Sequence, residues 1–325
     1  MPKNIIVSNR LPVQVENKNQ AWSFTPTSGG LATGLKSVHE EGDSLWIGWP
    51  GVSDDLLGKK NKKQINETLA ENQFRAVFLN DNELDHFYLG FSNKCLWPLF
   101  HYFIEYQKFD IDQWEYYTLV NQKFADEVLN VIEDGDIVWI HDYQLLLCPQ
   151  MIKEIKPEVT IGFFLHIPFP SFEIFRIFPK REDLLNGILG SDLIGFHTFD
   201  YQRHFLSSVK RILNLDVNYN VIYHQGREIE VNTFPMGIDF KKFEKASYDN
   251  IKKSGLESSE LKKQINVHKL ENRGKLILSI DRLDYTKGII NRLLAFERFL
   301  DNNIEYHDKV RLVMLAVPSR SEVSQ

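Results

Sequence analysis

The chain has 325 residues, of which 43% are hydrophobic and 25% charged, the composition of a globular protein with a large core and about two domains. A net charge of −6 without a basic stripe argues against a nucleic-acid partner. No apolar run approaches the length of a membrane span, which argues against a membrane protein.

The start of the chain and its two cysteines bear on the compartment. A predicted strand at residues 5–8 begins so close to Met1 that we expect no signal peptide. Cys95 and Cys148 lie in apolar surroundings without the spacing of metal ligands, which predicts buried free thiols. Because free thiols are typical of a reducing compartment, the sequence predicts a soluble cytoplasmic protein.

The first candidate site residue is Arg10, at the carboxyl end of the predicted strand at residues 5–8. A guanidinium there can bind a phosphate or carboxylate through two parallel hydrogen bonds, although an arginine on a surface loop explains this position equally well. Residues 11–27 alternate polar and apolar side chains and predict a hairpin. A further strand at residues 45–49 ends in Trp49, which we expect to be exposed.

A glycine-rich turn at residues 27–35 opens a predicted helix and contains Gly29 and Gly30. Backbone N–H groups at a helix start favour anions, and glycine lets a phosphate approach the backbone closely. The spacing is Gly-Gly-x-x-x-Gly, which differs from the dinucleotide-binding fingerprint. By itself this turn is a weak indication of a phosphate site.

Residues 87–102 are dense in aromatic side chains but follow neither a helical nor a strand period. Core filling explains most of this segment. Polar residues interleaved with Tyr88 and Trp97 also allow a wall on which a sugar ring stacks.

The runs at residues 136–142 and 160–170 are almost wholly apolar and end abruptly in polar side chains. Such runs are typical of strands buried on both faces of a parallel sheet, and the helical segment between them predicts a strand–helix–strand unit. Open parallel sheets bind ligands beyond the carboxyl ends of their strands, where His141, Asp142 and His166 fall. Each of these residues alone could merely cap a strand, but the repeated arrangement favours a site.

A second domain is predicted to begin after Ile238. Residues 241–273 are charged and helical in pattern, and residues 275–280 start a new buried strand. That strand leads to Arg282 and Lys287, which are spaced to bind one pair of phosphates at the start of a helix. Residues 310–317 form one more strand, and because two parallel strands do not make a stable domain we expect the second domain to be cut off.

These elements predict an α/β protein with two Rossmann-like, doubly wound domains, at residues 1–238 and 239–325, the second incomplete. The motifs that carry the site residues closely resemble those of the UDP-forming trehalose-6-phosphate synthases, which are retaining glycosyltransferases of family 20 with the two-domain GT-B architecture. In chain order the matching stretches are residues 8–13 (SNRLPV), 28–31 (SGGL), 48–49 (GW), 91–102 (FSNKCLWPLFHY), 139–143 (WIHDY), 164–170 (FLHIPFP), 193–198 (LIGFHT) and 281–288 (DRLDYTKG).

The resemblance implies transfer of glucose from UDP-glucose to glucose 6-phosphate, which yields trehalose 6-phosphate and UDP. It also implies retention of anomeric configuration, with no metal, no other cofactor and no covalent sugar–enzyme intermediate. Whether the protein forms a homo-oligomer stays open. By position, the acceptor residues are Arg10, Tyr88, Trp97 and Asp142, and the donor residues are Gly29, Gly30, His166, Arg282 and Lys287. Of these, His166, Asp142, Arg282 and Lys287 are the implied catalytic residues.

The chain departs from the family pattern after residue 320, where a further acceptor arginine and a ribose-binding glutamate are expected and not found. We therefore expect this chain alone to be inactive, and a non-catalytic sugar-phosphate-binding or regulatory fragment of the same fold is the serious alternative. A dehydrogenase would need the tighter glycine fingerprint. A retaining glycosidase would need a second carboxylate near Asp142.

Overall fold

The structure is a computed structural model that describes residues 2–18, 21–27, 30–41, 43–253 and 274–317. It divides into two compact units, Met1–Met236 and Gly237–Gln325, and the predicted boundary at residues 238 and 239 lies next to this division. The strands are β1 (Asn4–Arg10), β2 (Val13–Lys18), β3 (Ala21–Pro26), β4 (Ser44–Trp49), β5 (Phe74–Ala76), β6 (Ile137–His141), β7 (Thr160–Leu165), β8 (Leu193–Phe196), β9 (Asp216–Asn218), β10 (Val221–His224), β11 (Arg227–Thr233), β12 (Lys275–Arg282) and β13 (Val310–Val317).

The helices alternate with these strands, as expected for a doubly wound fold. They are α1 (Gly30–Glu41), α2 (Lys59–Ala70), α3 (Asp81–Glu83), α4 (Trp97–Phe100), α5 (Ile111–Leu129), α6 (Cys148–Ile155), α7 (Phe172–Phe175), α8 (Arg181–Ile188), α9 (Phe199–Ser208), α10 (Phe240–Lys253) and, last, Ile289–Asn302. None of the helices in the described part of the chain is long and apolar enough to cross a membrane.

The first unit is built on a nine-stranded sheet in the order β5-β4-β1-β6-β7-β8-β11-β10-β9. The pairs from β5 through to β11 are all parallel, and β10 and β9 add antiparallel pairs at one edge. The order runs outward in one direction from β1 to β5 and in the other from β6 to β8, so the topological switch point lies between β1 and β6. Ligands of such sheets bind at this point.

The strands lack alternation because apolar layers cover both faces of the sheet. In β1, Ile5, Ile6 and Val7 are all at most 1% exposed. Ile5 and Val7 belong to the larger core, whereas Ile6 belongs to a smaller core that includes Trp46 and Leu35 of α1. The predicted burial of the runs that form β1, β6 and β7 is confirmed, and so are the hairpin β2–β3 and the buried free thiols Cys95 and Cys148.

The aromatic segment is helical, which its sequence pattern did not predict. Residues Leu84–Leu96 form a π-helix of 13 residues that runs into α4. A π-helix closes its hydrogen bonds from residue i to i+5, so its buried positions match neither the period of an α-helix nor that of a strand. Helices of this kind are frequent at functional sites.

The described part of the second unit contains β12 and β13, which pair in parallel along their whole length. The helix Ile289–Asn302 lies between them in the chain, so this part also has the strand–helix–strand order of a parallel sheet. The prediction that residues 275–280 form a buried strand is wrong in its burial, because several apolar side chains of β12 are exposed, among them Leu278 at 58% and Ile280 at 61%. In the described part of the chain, β12 pairs with β13 alone.

Candidate active site

The carboxyl ends of β6 and β7 bring three predicted site residues together. In the β6–β7 register, His141 pairs with Phe164, and the backbone N–H of Asp142 donates to the carbonyl of Phe164 at 2.8 Å. The backbone N–H of His166 in turn donates to Oδ1 of Asp142 at 3.2 Å. The side chains of His141 and His166 also meet, with 3.0 Å between Nδ1 of His141 and Nε2 of His166.

Asp142 has an unusual backbone conformation, with φ +76° and ψ 171°. This region is almost restricted to glycine, and a non-glycine residue in it stores about 1–3 kcal/mol of strain. Burial raises the pKa of the Asp142 carboxyl to about 7, and hydrogen bonds from the backbone of Tyr143 and His166 partly oppose that shift. The site therefore holds a carboxyl group on a strained backbone, and near neutral pH this group is present in both its protonated and its ionised form.

Three histidines line the carboxyl ends of neighbouring strands. His141 is fully buried, and His166 and His197, which follow β7 and β8, are partly buried. Burial lowers the pKa of His141 well below its ordinary value and that of His166 to about 3, and in each case the neighbouring histidine adds to the effect. Burial also lowers the pKa of His197. At neutral pH the three rings are therefore uncharged donors and acceptors of hydrogen bonds.

Arg10 ends β1 on the other side of the switch point, and its side chain is exposed. Its Nη2 donates to Oε1 of Gln14, whose Nε2 donates to the carbonyl of Gly51 at 2.9 Å. The guanidinium lies over the ring of Trp49, 4.8 Å from its centroid. Arg10 is thus held in one orientation while it stays accessible to an anion, which suits a phosphate ligand.

The prediction that Trp49 is exposed is wrong, because its side chain is only 4% exposed. Its Nε1–H donates to the carbonyl of Val52 at 3.0 Å, and its ring packs in the larger core below Arg10. The sequence around the last residue of a strand does not indicate which distant residues cover it. Gln14 and Trp49 are the two supports of Arg10 that the sequence did not reveal.

The predicted sugar wall is only partly accessible. Trp97 is 6% exposed and Tyr88 is half-buried against the larger core. The Trp97 ring lies 5.6 Å from the ring of Tyr143, which follows Asp142 in the chain, and Oη of Tyr143 donates to Oδ1 of Asn93 at 2.8 Å. The π-helix and the start of α4 therefore place Asn93 and Trp97 against the residue next to Asp142.

Of the two predicted donor glycines, Gly29 lies outside the described residues, whereas Gly30 begins α1 and is exposed. A Cβ added to Gly30 would meet no atom within 4 Å. The described surroundings therefore do not require glycine here, and the space over the start of α1 suits the close approach of a phosphate.

A largely apolar cavity of about 390 Å³ lies beside the histidines. It is bounded by α1, by β6 to β8 and by the segment that follows β11, and both His141 and His166 line it. Among the described residues, no three His, Cys, Asp or Glu side chains are grouped as metal ligands.

Arg282 and Lys287 lie in the second unit where the sequence predicts them. Arg282 ends β12, and Lys287 ends the short turn before the helix Ile289–Asn302, whose N-cap is Gly288 at φ +61°. Both side chains are exposed, and within the described part of the chain neither forms an ion pair. Nη2 of Arg292 donates to the carbonyl of Lys287 at 3.1 Å and fixes this turn. Two exposed cations that precede a helix in the chain are suited to an anionic ligand.

Comparison with known proteins places these residues in a family. The family model of glycosyltransferase family 20 matches residues 2–325. An alpha,alpha-trehalose-phosphate synthase [UDP-forming] of Yarrowia lipolytica is 42% identical over 333 residues, which are 100% of this chain and 69% of that protein. The 56 kDa subunit of the Saccharomyces cerevisiae synthase is 42% identical over 331 residues, 99% of this chain and 64% of that protein.

Solved structures give the same result. A UDP-forming synthase from Burkholderia xenovorans superposes with a TM-score of 0.82 at 30% identity, over 100% of this chain and 66% of that one. The Escherichia coli protein bound with UDP-2-fluoro glucose superposes with a TM-score of 0.81 at 30% identity, over 99% of this chain and 66% of that one. The N-terminal domain of Candida albicans trehalose-6-phosphate phosphatase superposes with a TM-score of 0.81 at 34% identity, over 99% of this chain and 66% of that one.

The chain thus spans about two thirds of the length of these proteins. The match extends across both units and includes every motif that carries a predicted site residue. The chain belongs to glycosyltransferase family 20.

Proposed function

We propose that this protein transfers glucose from UDP-glucose to glucose 6-phosphate, with retention of anomeric configuration, to form trehalose 6-phosphate and UDP. Relatives that are 42% identical are named UDP-forming trehalose-phosphate synthases. One similar structure contains UDP-2-fluoro glucose, and another, from Burkholderia xenovorans, is a complex with glucose-6-phosphate. These names support both substrates.

The observation that carries the proposal is the pair of groups at the switch point of the sheet. An exposed guanidinium, held by Gln14 and Trp49, ends β1, and a desolvated carboxyl group follows the neighbouring strand β6. A phosphorylated sugar offers a dianion to the first group and a hydroxyl group to the second. In this proposal Arg10 binds the phosphate of the acceptor, Asp142 accepts a hydrogen bond from its sugar, and Tyr88 and Trp97 border the ring.

The donor half uses the helix start at Gly29 and Gly30, together with His166, Arg282 and Lys287. The bond between glucose C1 and the β-phosphate oxygen of UDP breaks, and a bond from C1 to the acceptor hydroxyl oxygen forms on the same face. The proton of that hydroxyl passes to the departing phosphate. Arg282 and Lys287 stabilise the charge that develops on UDP, so the proposal needs neither a metal nor another cofactor. The buried free thiols support a cytoplasmic location.

The test is to incubate the protein as its gene encodes it with both substrates and to measure UDP together with trehalose 6-phosphate. Proton NMR of the product reports the configuration at both anomeric carbons. Arg10→Ala should abolish most turnover at low acceptor concentration, whereas Arg203→Ala, which removes another exposed arginine, should not. Release of UDP without a disaccharide, or inversion at the donor carbon, would contradict the proposal.

A second candidate, a non-catalytic sugar-phosphate-binding module, is favoured by one observation. The same fold occurs at 34% identity as the N-terminal domain of a trehalose-6-phosphate phosphatase. In this case the chain would bind glucose 6-phosphate through Arg10 without releasing UDP. Calorimetric binding of glucose 6-phosphate, combined with no UDP formation by the protein as its gene encodes it, would select this alternative.

A further inference from the structure

Of the three histidines His141, His166 and His197 at the strand ends, His141 is the one that is fully buried. The proposed reaction assigns it no contact with substrate. Its Nδ1 lies 3.0 Å from Nε2 of His166. Its other nitrogen, Nε2, has no hydrogen-bond partner among the described residues. Trp139 packs beside the ring, with 4.6 Å between centroids.

The contact between the two rings requires one shared proton. Two bare nitrogens at this distance would repel each other, and two N–H groups would clash. If His166 supplied the proton from Nε2, the proton of neutral His141 would sit on its own Nε2, a buried N–H without an acceptor. Buried N–H groups without a partner are rare and destabilising, and a bare acceptor is tolerated better. The proton between the rings therefore belongs to Nδ1 of His141.

This assignment also determines which nitrogen of His166 carries its proton. Since Nε2 of His166 accepts the bond from His141, the proton of a neutral His166 ring must be on Nδ1. Nδ1 of His166 makes no hydrogen bond within the described part of the chain. The ring is steadied by Phe164 and His197, with centroid distances of 4.6 Å and 5.5 Å.

We propose that His141 is a positioning residue that holds His166 in the Nδ1–H tautomer, so that His166 offers its substrate a hydrogen-bond donor and not an acceptor. In the proposed function this N–H group donates to an oxygen of the glucose in UDP-glucose, and only that part of the inference rests on the proposed function. The groups around the pair are His197, Asp142 and the apolar side chains that line the 390 Å³ cavity.

The direct test is 15N NMR of the chain with labelled histidine, without substrate, at pH 7. One-bond and long-range couplings to the ring protons distinguish an N–H from a bare nitrogen. We expect His166 to show its proton on Nδ1 and His141 to show its proton on Nδ1 as well. A His166 proton on Nε2, or a mixture of both tautomers, would overturn the inference whether or not the protein makes trehalose 6-phosphate.

A matched pair of variants tests the consequence for the reaction. The amide of His141→Asn can place a donor near the position of Nδ1, whereas His141→Leu fills similar space without one. We expect His141→Leu to lose the single tautomer of His166 and to lower kcat about five- to tenfold, the effect of one hydrogen bond. His141→Asn should restore both, and the KM for glucose 6-phosphate should stay unchanged.

The control is His224→Asn, a histidine on β10 that is remote from the switch point in the strand order. This variant should change neither the His166 tautomer nor kcat. Equal losses in His141→Asn and His141→Leu would show that His141 acts by packing alone, which would also overturn the inference. The expected tautomer together with no transferase activity of the protein as its gene encodes it would instead contradict the proposed function.

Discussion

Asp142 should lower the free energy of unfolding of the protein relative to Asn or Gly at the same position. Replacing Asp142 should therefore stabilise the fold, and the same replacement should impair function. The residue combines a strained backbone at φ +76° with a carboxyl group whose pKa burial raises from 3.8 to about 7. Asp142→Asn removes the charge but keeps an oxygen that can accept the bond from the backbone N–H of His166. Asp142→Gly also removes the backbone strain.

The magnitude follows from the raised pKa. The folded state binds the proton of Asp142 more tightly than the unfolded state, so this group lowers stability as the pH rises from about 4 to about 7. At about 1.4 kcal/mol for each pKa unit, the full effect above pH 7 is about 4 kcal/mol. Asp142 retains some contact with solvent, so we expect about half of this, or about 2 kcal/mol.

Urea unfolding at pH 8 and pH 4.5, followed by tryptophan fluorescence, measures this difference. All 6 tryptophans lie in the first unit, so the signal reports the unit that contains Asp142. At pH 8, Asp142→Asn should be more stable by about 2 kcal/mol, or about 4–8 °C in Tm. At pH 4.5 most of this gain should be absent, because the wild-type carboxyl is then protonated in the folded state.

Asp142→Gly should add a gain that does not depend on pH, from the release of about 1–3 kcal/mol of strain minus the loss of the bond to His166. Both variants should lose affinity for glucose 6-phosphate. The control Asp134→Asn changes an exposed carboxylate and should stay within about 0.5 kcal/mol at both pH values. A destabilised Asp142→Asn at pH 8, or the same difference at both pH values, would refute this reasoning.

Four further predictions concern the binding groups. Arg10→Ala should weaken glucose 6-phosphate binding at least tenfold, from the loss of about 1.5–3 kcal/mol, but should leave glucose binding unchanged in calorimetry; preserved discrimination between the two sugars would exclude Arg10 as the phosphate ligand. Gln14→Ala should weaken the same binding less, by about threefold, because Arg10 loses a support and not its charge; an effect as large as that of Arg10→Ala would point to direct contact. Gly30→Ala should keep the urea midpoint, since its Cβ meets open space, but should raise the KM for UDP-glucose; unchanged kinetics would leave the start of α1 without a role. Lys287→Ala should lower kcat, because charge develops on UDP in the transition state, and a change in KM alone would exclude the leaving-group role.

Much of this protein was predictable from local sequence pattern. Long apolar runs that end in polar residues predicted the parallel strands, because strands covered on both faces lose their alternation. The same pattern located Arg10, Asp142 and His166 at strand ends, where doubly wound sheets bind ligands. The motifs around these residues also resembled the family to which the chain belongs.

Other features depended on contacts between distant residues and were decided by the tertiary structure. The sequence does not state that β1 neighbours β6, which makes the ends of these two strands one switch point. It does not state that the β6–β7 register brings His141 to within 3.0 Å of His166, nor that Gln14 and Trp49 support Arg10. Sequence pattern indicated the burial of the strands in the first unit, because burial selects residue type position by position. It did not indicate the burial of Trp49. Strand order, register and the φ of Asp142 are set by many long-range contacts at once, and so they appear only in the folded chain.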